Sequence, residues 1–539
     1  MLAQRTELVA PDVRHGPHES GRVMPQALPA ISPYSADTET VYLCPFDLMY
    51  ARCWTHRFLV FHMNDNNHER AIQDLNNGLC RLGALVPYIK GRVFKPAAVE
   101  QNLEPEGNLR HPRNRLVLSW SRTAPALKVR ELPVPGARKF PSLVELADQK
   151  FPAHYFTKDL STLPSAWTPH TINAEAGAPV LDVGFIRTEG GLILSITNHH
   201  GVFDGVGSCD LIRLWAACTR GSTPDVVADA DAPLMRSSKL SEYIDNHFQR
   251  RTDSLPHCAP SITGPQVVDL GRRGDCRASI FAFSGDKIQL AKQALDHSKL
   301  VNNGNNTVNN IIHAILWSCI TRARLPKYGT LGWRTKQSRL GLAVNGRPKI
   351  FGLEVGITSP YLGNLTFVAV ADIDVSQLDD VAQAIFYHQE PSVMARNLKG
   401  LVPLVDSLAT AAEKIDISYI SQVFSGINMA DDMDSLARPI VPGTPFSAYE
   451  GMNLNCSSWA NMDFYKCDFG PAFCGKTQRT GTPVAVRFIC DDPVDGAIML
   501  LPRKRTSLGG ERIEVHVSLN TDDLQALEED QVLQSWLCE

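Results

Sequence analysis

The residues best suited to chemistry stand together at 198–205, in the sequence Asn-His-His-Gly-Val-Phe-Asp-Gly. A largely apolar stretch from Leu192 to Ile196 precedes them, which predicts a strand that ends at a tight, glycine-bounded turn. Solvent and substrate can reach a histidine at such a turn, and its imidazole can accept and return a proton near neutral pH. We therefore predict that His200 is a general base.

Asp204 lies four residues after His200 and immediately before Gly205, where a helix is expected to begin. Its carboxylate has two candidate roles: it can support the histidine in catalysis, or it can accept hydrogen bonds from the first turn of that helix. A carboxylate at this position can point away from the cleft as easily as toward it. The structural role is therefore favoured, while Asp204 stays among the catalytic candidates.

Hydrophobic periodicity predicts the elements that must position these side chains. A hairpin is expected to run from Val180 to Phe185 and to turn at Gly190-Gly191 into the strand before the histidines, and a helix should end before Gly221. The other main predictions are helices over 67–85, 311–320 and 521–534 (the last capped by Thr521), and strands over 58–61, from Tyr88, over 278–283 and over 367–370. Mixed strands and helices in two halves of similar size predict an α/β protein.

A chain of 539 residues is too long for one compact core, so two domains are expected. Residues 1–40 hold five prolines and no apolar signal-peptide core, which predicts a disordered extension. We place an N-terminal domain at 41–221 and a C-terminal domain at 278–539. Residues 222–277, rich in Asp, Pro, Ser and Arg, are expected to form the crossover between them.

Composition and missing motifs exclude several classes of function. The formal charge of −4 argues against a nucleic-acid partner, and no apolar run approaches the roughly 18 residues of a membrane helix. Thirteen cysteines without a C-x-x-C pair favour reduced thiols in the cytoplasm over disulfides or a metal site. The sequence also lacks G-x-S-x-G, H-E-x-x-H, a P-loop and a dinucleotide fingerprint, so hydrolase, protease, kinase and dehydrogenase functions lose their usual support.

Two further clusters of functional side chains lie in the last third of the chain. Ser457-Ser458-Trp459 combines two hydroxyls with an indole N–H, and Asp468-Phe469-Gly470 begins nine residues after the tryptophan. Weaker marks are Ile89-Lys-Gly-Arg92, Asn310 before a buried helix, Asn345-Gly-Arg347 and Tyr361-Leu-Gly-Asn364. Together with the motif at His200, they resemble in type and order the signatures of the BAHD acyltransferases, particularly the trichothecene acetyltransferase-like branch of fungal O-acetyltransferases. The resemblance spans about residues 45–530.

This resemblance implies a fold and a reaction. The fold would be that of chloramphenicol acetyltransferase, with two α/β domains that are each a mixed sheet flanked by helices. Acyl-CoA, most often acetyl-CoA, would enter the domain interface from one face, and a small-molecule acceptor from the other. The implied reaction is acyl transfer to a hydroxyl of a terpenoid, alkaloid or polyketide in a ternary complex, without a permanently bound cofactor. A monomer is expected.

The resemblance also implies roles for single residues. His200 would remove the acceptor's proton, and Asp468 is named beside it as a catalytic candidate. The Trp459 N–H, with the hydroxyls of Ser457 and Ser458, would bind the oxyanion. Asp204 would pair with Arg347 and hold its loop in place. The remaining supporting residues would be Gly205, Asn364, Phe469 and Gly470.

One departure from the family pattern affects the last motif. The family usually continues Asp-Phe-Gly with Trp-Gly, whereas Pro471-Ala472 stands here, and we expect altered loop geometry rather than lost chemistry. Two alternative functions stay open: a condensation-type enzyme supplied by a carrier protein, and a non-catalytic ligand-binding homologue. The Ser-Ser-Trp and Asp-Phe-Gly pair favours free acyl-CoA over the first, and intact His200 and Gly205 argue against the second.

Overall fold

The computed structural model describes residues 37–50, 53–95, 115–134, 140–163, 177–222, 275–298, 306–328, 330, 332, 336–351, 361–429, 452–475, 479–489, 493–504 and 510–538. Residues 1–36 of the predicted extension and 223–274 of the predicted crossover lie outside the described residues. All statements below concern the described part of the chain.

The strands are, in chain order, Thr38–Tyr42 (β1), Trp54–His62 (β2), Arg92–Phe94 (β3), Val117–Ser121 (β4), Arg130–Glu131 (β5), Ala178–Pro179 (β6), Leu181–Thr188 (β7), Gly191–His199 (β8), Cys276–Ser284 (β9), Gln337–Asn345 (β10), Thr366–Asp374 (β11), Leu454–Ser458 (β12), Ala485–Phe488 (β13), Ala497–Leu500 (β14) and Arg512–Asn520 (β15). Within the described residues they form a five-stranded sheet, β13-β2-β8-β7-β5, a six-stranded sheet, β11-β10-β12-β14-β15-β9, and a small sheet, β1-β4-β3-β6. The six-stranded sheet is mixed, because β12 runs parallel to both β10 and β14.

The helices are Pro45–Leu48 (α1), His68–Leu85 (α2), Leu143–Asp148 (α3), Gly205–Arg220 (α4), Gly285–Ser298 (α5), Val308–Tyr328 (α6), Arg347–Phe351 (α7), Val375–Ala384 (α8), Pro391–Asn397 (α9), Val402–Glu413 (α10), Ile417–Met429 (α11), Thr521–Glu528 (α12) and Gln531–Trp536 (α13). Helices α2 and α4 pack against each other, and Trp215 on α4 donates its indole N–H to the Leu75 carbonyl on α2 at 3.2 Å. Helix α6 packs against α8 and α10 beside the other large sheet. In the ranges that the structure describes, no helix is long and apolar enough to cross a bilayer.

The strand that leads to the histidines lies in the middle of the five-stranded sheet. β8 pairs antiparallel with β2 over its whole length, from His199 opposite Trp54 to Gly191 opposite His62. Every residue of β8 is buried. Because neighbours hold both edges and both faces of this strand, the position of the turn at His200 is fixed by the core.

The structure differs from the predicted elements at two ends. The strand predicted from Tyr88 begins only at Arg92, after a 3₁₀ turn at Pro87–Lys90. The terminal helix is two helices, α12 and α13, and their caps are Asn520 and Asp530 rather than Thr521. Both cap side chains accept backbone N–H groups that a first helical turn leaves unpaired.

One strand crosses the predicted domain division. β13 belongs to the residues assigned to the C-terminal domain, yet it is an edge strand of the N-terminal sheet, with Ala485 opposite Val60. In return, Phe46 on α1 packs against Phe367 and Phe424 of the other half, with ring centroids 5.4 Å apart in both pairs. The edge of β2 is thus paired by a segment from the other half of the chain, which leaves no open edge there.

Candidate active site

His200 follows the last residue of β8, and its backbone N–H donates to the Cys53 carbonyl at 2.9 Å. The Tyr50 ring stacks on the imidazole, with 4.9 Å between centroids. Nδ1 is buried and has no hydrogen-bond partner among the described residues, and His200 is one of the residues that line a cavity. The neighbouring His199 is fully buried, and its Nδ1 accepts from the Gly201 N–H at 3.1 Å. Of the two histidines, His200 is the one placed for chemistry.

The surroundings of His200 keep its imidazole neutral. Burial lowers the pKa of His200 below its ordinary value, and the positive charge of Arg57 acts in the same direction. The backbone carbonyl of His200, the charge of Asp204 and the side-chain amide of Asn364 raise the pKa without overcoming burial. A general base must be unprotonated at the start of the reaction, so this environment suits that role near neutral pH.

The carboxylate of Asp204 accepts its hydrogen bonds from other groups of the protein. Oδ1 accepts the N–H of Gly207 at 2.8 Å, which caps α4, and both oxygens receive Arg347 N–H groups at 2.9 Å. Oδ2 also accepts the Leu365 N–H and the Thr366 hydroxyl, each at 2.9 Å. Burial alone would raise the pKa of Asp204, but Arg347 and these hydrogen bonds lower it overall. The expected pair with Arg347 is present, and it ties the turn to the other half of the molecule.

Asn364 makes a second tie between the halves. Its backbone N–H and its side-chain Nδ2 both donate to Oδ1 of Asp47, at 2.9 and 2.8 Å. Asp47 belongs to α1, while Asn364 precedes β11. The two ties flank His200, so its position depends on how the two halves dock.

Ser457 and Ser458 end β12, Trp459 follows it, and all three line the same cavity as His200. Trp459 is almost fully buried, and its ring packs against Phe464 and Phe488. Its Nε1 lies 3.1 Å from the point where a Cβ on Gly205 would stand, so glycine is required for this close approach. The Ser458 hydroxyl accepts the side-chain N–H of Asn309 at 3.3 Å.

A cavity of about 470 Å³ connects these groups. The N-terminal half contributes Tyr50, Cys53, Thr55, Arg57, His200, Asp204, Gly205, Val206, Cys209, Asp210 and Arg213 to its lining. From the other half, the neighbouring strands β12, β14 and β15 contribute two sets of residues that lie opposite one another in the sheet: Asn455, Ala497 and Ser518, and Ser457, Met499 and His516. Residues two apart on a strand share a face, so these six form one wall of the cavity.

His516 stands in this wall as a second buried histidine. Its Nε2 has no hydrogen-bond partner within the described part of the chain. Burial, with the Arg487 charge, lowers the pKa of His516 to about 4, so the ring is neutral at pH 7. Sequence reasoning missed His516, Arg57 and Tyr50. The signal for Arg57 was a charged residue directly before the apolar run of 58–61.

Asp468 is not among the residues that line this cavity, and its catalytic role stays a prediction. Its Oδ1 accepts the backbone N–H groups of Gly470 and Gly481, at 2.9 and 2.8 Å. Its carbonyl accepts from Arg220 at 2.7 Å, which ties the loop to the end of α4. The carboxylate is therefore occupied in shaping a loop.

The other residues of this motif are structural. Phe469 packs among the rings of Phe61, Trp215 and Phe473. Gly470 has a φ of 98°, which a residue with a side chain rarely adopts, and a 3₁₀ turn follows at Pro471–Phe473. The unusual Pro471 thus stands at the first position of a short turn, where its missing N–H is tolerated.

A second cavity, of about 510 Å³, adjoins the first and shares Asn461, Met462 and Asp463 with it. Lys466, Arg503 and Lys504 also line it. Lys466 pairs with Asp463 at 3.0 Å and Arg503 pairs with Glu511, while Lys504 is exposed. In the described ranges, no three His, Cys, Asp or Glu side chains come together as metal ligands would.

Comparison with known proteins shows the family. Residues 53–218 match the trichothecene 3-O-acetyltransferase-like N-terminal domain, and residues 179–534 match the Transferase family. The chain is 32% identical to trichothecene 8-O-acetyltransferase of Fusarium sporotrichioides over 520 residues, which cover 93% of this chain and 98% of that protein. It is 21% identical to fumigaclavine B O-acetyltransferase of Aspergillus fumigatus, over 90% of this chain and 94% of the relative.

Solved structures show the same fold. F. graminearum TRI101 complexed with ethyl coenzyme A superposes with a TM-score of 0.68 and 18% identity, over 93% of this chain and 99% of that one. The complex of that protein with coenzyme A and deoxynivalenol gives a TM-score of 0.66 and 18% identity, over 92% and 99%. The predicted two-part α/β fold is thereby confirmed. The chain belongs to the Transferase family, the BAHD acyltransferases that its motifs resemble, and it is a CoA-dependent O-acyltransferase.

Proposed function

We propose that this protein transfers the acetyl group of acetyl-CoA to a hydroxyl of an oxygenated secondary metabolite, and that a trichothecene is the first acceptor to test. The observation that carries the proposal is the imidazole of His200, whose pKa is lowered, in the lining of a cavity to which both halves of the molecule contribute. The relative with 32% identity is named for acetylation of a trichothecene, which supports this choice of acceptor.

His200 acts as the base in the proposed reaction. Its Nε2 takes the hydroxyl proton while the acceptor oxygen attacks the thioester carbon, a contribution of about 10²–10⁴ in rate. The Trp459 N–H donates to the carbonyl oxygen as that oxygen becomes negative. When the carbon–sulfur bond breaks, the imidazolium returns its proton to the sulfur. No covalent acyl-enzyme is needed, because the acceptor and the thioester meet in one cavity.

The two cavities suggest where each substrate lies. Phosphates of CoA fit the second cavity, which Lys466, Arg503 and Lys504 line. The acceptor fits the wall that carries Asn455, His516 and Ser518, since these neutral polar groups can bind the oxygens of a compact polycyclic molecule. Entry from two sides would allow a ternary complex.

The test is a product assay with acetyl-CoA, no carrier protein, and a panel of hydroxylated terpenoids, alkaloids and polyketides that includes deoxynivalenol and T-2 toxin. We expect mass spectrometry to show one added acetyl group on at least one acceptor. His200→Ala should lower kcat/KM by about 10²–10⁴. His388→Ala, an exposed histidine outside both cavities, is the matched control and should retain activity.

Three results would contradict this proposal. Full activity of the His200→Ala protein would remove the histidine from the mechanism. Activity that requires an acyl carrier protein would favour the condensation-type alternative, and acceptor binding without turnover would favour a non-catalytic homologue.

We also propose that the enzyme is a cytoplasmic monomer. The cysteines that the structure describes are all free, among them the exposed Cys80, and free thiols persist in reducing compartments. Light scattering of the purified protein would test the monomer, and imaging of a tagged protein in cells would test the location.

A further inference from the structure

Three arginines rank among the largest fully buried side chains of the described residues: Arg57, Arg324 and Arg487. Arg324 pairs with Asp495 at 2.5 Å, and Arg487 pairs with Glu514 at 2.8 Å. Within the described part of the chain, no carboxylate lies at ion-pair distance from Arg57. Burial of an uncompensated cation is strongly unfavourable, so the absence of an acid beside Arg57 needs a reason.

Neutral groups hold the Arg57 side chain. Its Nη1 donates to the side-chain oxygen of Asn198 at 2.6 Å and to the hydroxyl of Thr55 at 3.1 Å. Its guanidinium carbon lies 4.9 Å from the centre of the Trp459 ring, and its Nε has no partner among the described residues. Burial lowers the pKa of Arg57 to about 10, and the charge of Asp204 opposes this only in part, since that carboxylate makes its ion pair and its hydrogen bonds with Arg347 and the groups around it.

The uncompensated charge faces the reaction cavity. Arg57, Trp459 and His200 all line it. The charge of Arg57 is close enough to contribute to the lowered pKa of His200. By contrast, neither Arg324 nor Arg487 lines the cavity, and both have carboxylate partners. Of these three arginines, the one without a carboxylate at ion-pair distance among the described residues is thus the one beside the proposed chemistry.

The reaction creates a negative charge in this cavity. The acceptor oxygen bonds to the thioester carbon, its proton moves to His200, and the carbonyl π electrons move onto the carbonyl oxygen. The carbon–sulfur bond then breaks, the carbonyl re-forms, and the sulfur leaves with the proton from the imidazolium. The carbonyl oxygen is negative only between these two events, and a preorganised cation would stabilise it then.

We propose that Arg57 is a further catalytic residue, which stabilises the oxyanion of the thioester together with the N–H of Trp459. This inference rests on the proposed acyl transfer. A phosphate of CoA is a poorer partner, because phosphates fit the more exposed cations of the second cavity. A fixed anionic group on the acceptor is the competing ligand, and the kinetics separate the two.

The experiment compares Arg57→Met and Arg57→Lys with the wild type in two reactions: acetyl transfer to the best acceptor, and acceptor-independent hydrolysis of acetyl-CoA followed by thiol release. Water can replace the acceptor in hydrolysis, and the same oxyanion forms. We expect Arg57→Met to lower kcat by about 10²–10³ in both reactions, with KM values changed by less than about threefold. Arg57→Lys should retain part of the activity because it keeps the charge.

The pH profile tests whether the Arg57 charge acts at the reaction site. Catalysis needs neutral His200, so activity is lost as pH falls through the pKa of this residue. Removal of the Arg57 charge raises that pKa, and the acidic limb of kcat/KM should move to higher pH in Arg57→Met but stay near the wild-type position in Arg57→Lys. The moved limb shows that the charge reaches His200, and the loss of kcat in both reactions then assigns it to the oxyanion.

Thermal unfolding supplies the matched control. Arg57→Met should leave Tm unchanged or raise it, because an unpaired buried charge is removed and Asn198 still accepts the Ser208 hydroxyl at 2.9 Å. Arg487→Met should lower Tm, because it leaves Glu514 without its buried partner.

Three outcomes would overturn the role of Arg57. An acceptor KM that rises while kcat is unchanged would assign Arg57 to acceptor binding. A lowered Tm with an unmoved acidic limb would assign it to packing, and full activity of Arg57→Met would exclude any role. If the wild type neither transfers nor hydrolyses the acetyl group, the proposed function fails. If the wild type is active and Arg57→Met is equally active, only the role of Arg57 fails.

Discussion

At the scale of single residues, Asp204 shows how position in the fold decides a role. Its oxygens are shared among Arg347, the first turn of α4 and the strand β11. A carboxylate with these partners holds the turn rather than the substrate. No hydrogen bond joins His200 to Asp204 among the described residues, so Asp204 acts on His200 through the position of the turn and through its charge.

Replacement of Asp204 by Asn should therefore reduce stability more than catalysis. The variant leaves Arg347 buried without its carboxylate, and we expect the free energy of unfolding to fall by about 3–5 kcal/mol. The folded fraction of this variant should retain kcat within about tenfold of the wild type, because the base His200 is intact. Urea unfolding and steady-state kinetics on the same preparation measure both quantities.

The pH dependence of Asp204 supplies a check. The pKa of Asp204 is lowered in the folded state, so its contribution to the free energy of unfolding is complete at neutral pH. This contribution is lost in acid, as pH falls below about 4 and through the folded-state pKa. The Asn variant should lack this acid-dependent loss. If the Asn variant kept the wild-type free energy of unfolding but had a hundredfold lower kcat, Asp204 would be assigned a catalytic role.

At the scale of elements, the start of α4 packs closely at Gly205 against Trp459 and Met462, which follow β12. A Cβ at this position would stand 2.7 Å from Cε of Met462 and 3.1 Å from Nε1 of Trp459. The methionine end can move aside, but Phe464 and Phe488 enclose the indole. A side chain on Gly205 must therefore displace the proposed oxyanion donor.

We expect Gly205→Ala to lower kcat by about 10–100-fold, because a small displacement of a catalytic donor is costly. Gly83→Ala on α2 is the control, since a Cβ there meets only the flexible Lys90 side chain at an ordinary 3.6 Å. This control should keep wild-type kcat. Equal kinetics of the two variants would show that Trp459 tolerates displacement.

At the scale of the whole molecule, the two adjoining cavities differ in the side chains that line them. The cavity at His200 is lined mainly by neutral groups on its strand wall, while the second is lined by Lys466, Arg503 and Lys504. This separation suits two substrates of different character: a highly anionic cosubstrate and a neutral, oxygenated acceptor.

Charge reversal in the second cavity should weaken acetyl-CoA binding selectively. We expect Lys466→Glu combined with Lys504→Glu to raise KM for acetyl-CoA by about tenfold, with the effect shrinking as ionic strength rises. The acceptor KM should stay within about twofold. Lys399→Glu, an exposed residue outside both cavities, is the control. If the KM for the acceptor rose instead, the second cavity would be assigned to the acceptor and the first to acetyl-CoA.

Local patterns in the sequence determined the parts of the fold that depend on near neighbours. The apolar run before His200 predicted β8, Asp204 and Gly221 predicted the ends of α4, and both were right because a cap or a strand period is set within a few residues. The ordered motifs determined the family. The ion pair of Asp204 with Arg347 came from that resemblance rather than from spacing.

Only the tertiary structure decided which side chains share the reaction cavity. Arg57 and His516 reach it because β2 and β15 belong to two sheets that meet there, whereas Asp468 is turned to its own loop by two backbone N–H groups. β13 leaves its sequence neighbours to pair with β2, over 400 residues away. Such contacts depend on how distant segments pack and pair, and no local pattern in the chain encodes that choice.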